Sequence, residues 1–94
     1  MVQKYFVNID LNILKRFREN QKLLYWYIAL KDYAQRFKPD CYGYVRIPTD
    51  AITSDYGIDR TTAWRYNRHL EDKGYIKIDR KHRGGHTWMG VRFI

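Results

Sequence analysis

Ninety-four residues, 45% hydrophobic and 17% aromatic, suit one folded domain and leave no room for a second core or a wholly disordered chain. One cysteine, Cys41, excludes an internal disulfide and fits a reducing cytoplasm, and no apolar run nears the ~18 residues of a membrane span. The formal charge of +8 points to a polyanionic partner, because Lys and Arg that neutralise phosphates release condensed counterions.

Residues 2 to 9 are rich in β-formers (Val2, Tyr5, Phe6, Val7, Ile9) and predict an extended arm or short strand. Asn8 and Asp10 interrupt any signal-peptide core, and Asp10 is placed to cap a brief helix carrying Leu11, Leu14 and Phe17. Asn20 then caps a long helix over 21 to 37. Leu23, Leu24, Tyr27, Ile28, Ala34 and Phe37 recur there at three- and four-residue steps until Pro39 stops the pattern. Past Gly43, Tyr44-Val45-Arg46-Ile47 is a short β-rich run.

Thr49, after Pro48, is expected to cap a helix over 50 to 56 that buries Ala51, Ile52 and Tyr56. Gly57 supplies the left-handed position that helix ends favour, and Ile58 plugs the corner. Asp59 caps the next helix, which runs to about Lys73 and is ended by Gly74. Two helices joined by so short a glycine turn form a helix-turn-helix. Tyr75 to Arg80 alternates as a half-exposed strand, Gly84-Gly85 turns the chain, and His86 to Ile94 returns with Trp88, Met89, Val91 and Phe93.

From Arg60 onward nine cations stand against three anions, +6 of the +8 total. On the 60–73 helix, Ala63, Tyr66, Asn67 and Leu70 share an inward face, and Thr61, Arg65, Arg68 and Asp72 the opposite one. Thr62, Trp64 and His69 lie on the flanks. Arg offers two donors to guanine, and Thr a hydroxyl or a methyl to a base. The N-terminal part of such a helix meets base edges, which selects Arg60, Thr61, Thr62 and Arg65 as base readers and Arg68 as a phosphate holder. Lys81, His82 and Arg83 precede the glycine turn and suit a backbone or a narrow minor groove. Thr49 and Thr53 are further phosphate candidates. Trp64 is a candidate too, although packing on the long helix competes with DNA contact there.

The stretches Gly57-Ile58-Asp59-Arg60-Thr61-Thr62-Ala63 and Leu70-Glu71-Asp72-Lys73-Gly74-Tyr75-Ile76 resemble the pattern of the winged helix-turn-helix superfamily of bacterial and phage DNA-binding proteins. Thr53 and Asn67 depart from it, at positions where the superfamily places apolar residues. Phe6-Val7-Asn8-Ile9 and Lys22-Leu23-Leu24-Tyr25 are similar to N-terminal domains of Gram-positive plasmid replication initiators. The resemblance implies a single α+β domain over 1–94, a winged helix-turn-helix with three main helices. Its parts are an arm and short helix over 1–19, a long helix over 21–37, a helix-turn-helix over 49–73 and a two-stranded wing over 75–94. In such folds the 44–47 run pairs with the wing.

The expected function is sequence-specific binding of double-stranded DNA in replication initiation or transcriptional regulation of a bacterium, plasmid or phage, in the cytoplasm. The alternative is a protein–protein interaction module that docks through exposed aromatics. Single-strand or RNA binding by stacked Tyr and Trp has no supporting spacing. A homodimer follows if Trp26 is exposed. His82 and His86 stand four apart, but structural zinc needs about four ligands and Cys41 is the one thiol, so no metal is expected. No catalytic set appears, and neither an enzyme, a cofactor nor a small-molecule ligand is predicted.

Overall fold

A computed structural model of the protein describes residues 11–18, 20–79 and 88–94. The expected arm over 2–9, the Asp10 cap and the turn at Gly84-Gly85 lie outside those residues. Within them the chain is a small α+β domain with four helices and a three-stranded antiparallel sheet. Helix α1 (Leu11–Arg16) leads into α2 (Gln21–Ala34), which the Asn20 side chain caps by accepting the Leu23 N–H at 3.1 Å. Leu11 is exposed, whereas Phe17 is buried against the rings of Tyr27 and Tyr75 at 5.7 and 4.9 Å, anchoring the α1 end.

Helix α2 ends at Ala34 rather than 37. Arg36 and Phe37 N–H groups turn to carbonyls three residues back, a tightened exit that leaves Phe37 exposed. Asp40 then closes a turn at Gly43, accepting the N–H groups of Tyr42 and Tyr44 at 2.9 and 3.0 Å. Those backbone bonds, that of Tyr44 foremost, hold its carboxyl below the usual range.

Strand β1 (Val45–Pro48) runs directly into α3 (Thr49–Tyr56), and α4 (Arg60–Asp72) follows. Pro48, not Thr49, is the N-cap of α3 and makes no side-chain cap bond. Thr49 is the first helical residue and fully buried. Of the three residues expected inside this helix only Ile52 is buried; Ala51 and Tyr56 are exposed. Tyr56 instead lies along the surface, its hydroxyl donating to Asp32 at 3.3 Å. Beside it the Tyr33 hydroxyl donates to Asp55, and burial together with that bond pushes the phenol up to about 12. These two phenols lock α3 to α2.

Gly57 (φ 64°) and Gly74 (φ 82°) end α3 and α4 in the same way. Gly57 and Ile58 donate back to Ser54 and Thr53, and Gly74 and Tyr75 to Glu71 and Leu70, the paired 5→2 and 6→1 bonds that satisfy the last carbonyls of a helix. Strands β2 (Ile76–Ile78) and β3 (Trp88–Phe93) complete the sheet in the order β1-β3-β2. Val45 faces Val91 and Ile47 faces Met89 on one side, while Ile76 faces Phe93 on the other. The pairing expected between the run near residues 44–47 and the last strand is therefore present, one residue later.

The root of the β2–β3 connection is polar. Arg46 donates to Asp79 at 2.8 Å and reaches Asp40 at 3.4 Å. Gly90 lies opposite Arg46 in the sheet, and a Cβ there would come within 2.9 Å of both the guanidinium and the Asp79 side chain. A side chain at 90 would displace that ion pair.

Candidate nucleic-acid interface

Helix α4 is seated by three buried residues, Ala63, Asn67 and Leu70. Asn67 was the position where the expected inward face was least ordinary, and its burial has a specific cause. The indole N–H of Trp26 donates to Asn67 Oδ1 at 2.7 Å, and the amide nitrogen reaches the Met89 sulfur at 3.6 Å. One buried amide thus ties α4 to α2 and to β3. Trp26 is 0% exposed, so it offers no surface to a dimer partner.

The N-terminus of α4 is fixed by Asp59, whose carboxylate accepts the Thr62 N–H at 2.7 Å. That bond, with the Thr62 hydroxyl, keeps the Asp59 carboxyl below its ordinary range. At the other end Glu71 accepts the Ile78 N–H at 3.1 Å, coupling the last turn of α4 to β2. The helix is capped at its start and tied to its neighbours at its middle and end, and the angle at which its outer face is presented follows from the latter two ties.

On that outer face Thr61, Arg65, Arg68 and Asp72 are all exposed, as their spacing requires. Thr62 is half-buried on its flank, and Tyr66, expected on the inward face with Ala63, Asn67 and Leu70, packs against the core but is only half-buried. Trp64 is half-buried and packed against the core, which realises the packing side of its two readings. Arg60 is exposed but engaged, bonding Asp50 on α3. Lys81, His82 and Arg83 lie outside the described residues.

Two expected phosphate contacts are corrected. Thr49 is 0% exposed, and its hydroxyl has no hydrogen-bond partner among the described residues. Thr53 is also buried, and its hydroxyl donates back to the Thr49 carbonyl at 2.7 Å. Both sit on the side of α3 that the core covers. A threonine that satisfies its hydroxyl on its own helix can be buried like a small apolar residue, which is how Thr53 fills a place where an apolar residue was expected.

The sequence reading also missed surface features that the fold assembles. Trp88 stands 43% exposed at the foot of β3, opposite Pro48 in the sheet. A groove of about 550 Å³ opens between α2 and the α3–α4 turn, walled by Tyr25, Tyr56 and Tyr66 with the fully buried Trp26 behind them, and with Lys22 and Asp59 among its polar lining. Its two sides come from residues 22–28 and 56–66, at least 28 positions apart in sequence, so no local pattern announces it.

Among the described residues no group of three or more His, Cys, Asp or Glu side chains is placed to hold a metal ion, and no helix is long and apolar enough to cross a membrane. No protein-family model matches the chain, and comparison with curated proteins and with solved structures found no significant match.

Proposed function

We propose that this chain is a winged helix-turn-helix domain that binds double-stranded DNA sequence-specifically. In this reading helix α4 enters the major groove with residues 60 to 69, and the basic segment 81 to 86, expected from the sequence as a wing, accompanies it. The observation that carries this reading is the division of α4. Its inner residues are consumed by the core, while Thr61, Arg65 and Arg68 stand exposed on a capped helix that is tied to α2 and β2 at its middle and end. Pre-set donors on a rigid element suit base-edge recognition, since little side-chain and backbone freedom remains to be lost on binding. The short α3–α4 turn and the strand order β1-β3-β2 support the same architecture. The role is replication initiation or transcriptional regulation in a bacterium, plasmid or phage, without catalysis.

The test is a pair of substitutions read on specific and random duplexes. Arg65→Ala should cost about 1–3 kcal/mol on the preferred site and relax one base position. Lys81→Ala should weaken all duplexes alike and reduce the salt slope by about 1. Equal losses on both kinds of DNA from Arg65→Ala would rule out direct readout.

The aromatic groove favours a second reading, a protein-docking module. Tyr25, 61% exposed at its edge, and the half-open Tyr56 are residue types that anchor interfaces. Failure of the chain to be retained on duplex DNA at moderate ionic strength would favour this reading over the first.

A further inference from the structure

Arg60 opens α4 on the proposed DNA face, yet it is already directed. Its Nε–H and Nη2–H both donate to Oδ1 of Asp50, at 3.0 and 2.5 Å, across the turn between the two helices. The two side chains are 45% and 75% exposed, and an ion pair so open to water adds little to folding stability. What it sets is direction.

A guanidinium has two hydrogen-bonding edges. The side edge consists of Nε–H and one Nη–H, and Asp50 occupies it. The end edge, made by the two Nη groups, offers the parallel donors that match guanine O6 and N7. Asp50 therefore takes the edge that base reading does not need. It also lies in the first turn of α3, where the helix dipole favours a negative charge.

That charge has a second effect. Arg65 and Arg68, exposed on the same helix as Arg60, make its face attractive to any phosphate, and a carboxylate bonded to Arg60 opposes indiscriminate contact at that end. When a duplex excludes water from the pair, the attraction between Asp50 and Arg60 strengthens, because the local dielectric falls.

We propose, resting on the DNA reading above, that Asp50 is a positioning residue for specificity: it holds Arg60 so that the end edge of the guanidinium reads a guanine, and its charge disfavours duplexes that offer Arg60 only phosphate. No local signal marks Asp50 for this task, since it precedes Arg60 by ten positions and belongs to the other helix.

The experiment is selection from a random duplex pool by the 94-residue chain and by Arg60→Ala, Asp50→Ala and Asp50→Asn, with melting measured for each. The unaltered protein should select guanine at the position that Arg60→Ala relaxes. Asp50→Ala should lose about tenfold of that preference while holding or gaining affinity for random duplex, and it should melt close to the unaltered protein. A purely structural role would move melting and leave base preference alone. If Asp50→Ala melts early, Asp50→Asn, which keeps the shape and loses the charge, gives the same readout. Guanine preference unchanged in both Asp50 variants overturns the inference and leaves the DNA reading standing, as does a motif with no position sensitive to Arg60→Ala. Absence of any motif for the unaltered protein removes the specific-DNA reading and this inference together.

Discussion

Helices α2 and α4 are nearly equal in length and serve opposite ends. Of the fourteen residues of α2, seven are buried, including Trp26, Tyr27, Leu30 and even Asp32. Of the thirteen in α4, three are. A helix covered on so many sides is there to be packed upon, whereas one held by a narrow stripe has most of its surface left to present. The two are joined by the buried hydrogen bond from Trp26 to Asn67, and the contrast between them can be attacked from either side.

The largest effect is expected at the hub. Trp26→Ala removes a fully buried ring and leaves the Asn67 carbonyl unpaired, and should cost about 3–5 kcal/mol in denaturant unfolding. A loss under about 1 kcal/mol would mean that α2 is not the hub it looks to be. Asn67→Leu should cost about 1–3 kcal/mol, mostly through the stranded indole N–H. Combining it with Trp26→Phe, which takes that donor away, should recover part of the loss, a coupling that a double-mutant cycle measures directly. Arg65→Ala, on the outer face, should leave stability within about 0.5 kcal/mol while it weakens site-specific binding. A large melting change there would erase the distinction between the two helices.

The smallest effect lies at the start of α4 and depends on pH. Asp59 has its folded-state carboxyl below the ordinary 3.8, so the fold favours the ionised form. Its contribution is present above that ordinary value and lost as pH falls through the folded-state value. Asp59→Ala should therefore lower melting at neutral pH and flatten the acid limb of the melting profile. An acid limb identical to that of the unaltered protein would exclude the cap as its source.

The legible parts of this fold were those governed by short-range rules. Gly57 and Gly74 marked helix ends because a left-handed residue is cheap only for glycine. The exposed set on α4 followed from helical spacing alone. What escaped depends on partners distant in sequence: Trp26 and Asn67 are separated by 41 positions, and Asp50 reaches Arg60 across a helix boundary. Thr49 and Thr53 looked like surface hydroxyls because sequence does not say which side of a short helix the core will cover. Phe37 and Tyr56 failed in the opposite sense, as large rings left at the periphery. The basic tip at 81 to 83, named from sequence, lies outside the described residues, so the described half of the candidate interface is the helix.

The Trp26–Asn67 contact has a consequence for how such a chain can diversify. An α-helix advances 100° per residue, so a slip of a single position would carry Arg65 far round the axis. The buried amide bars that slip, because only one residue of α4 can accept from the indole. With rotation pinned from inside, exposed positions 61, 65 and 68 are open to exchange at little expense to folding. Substitutions at those positions and substitutions at the Trp26–Asn67 contact should therefore act almost independently on folding.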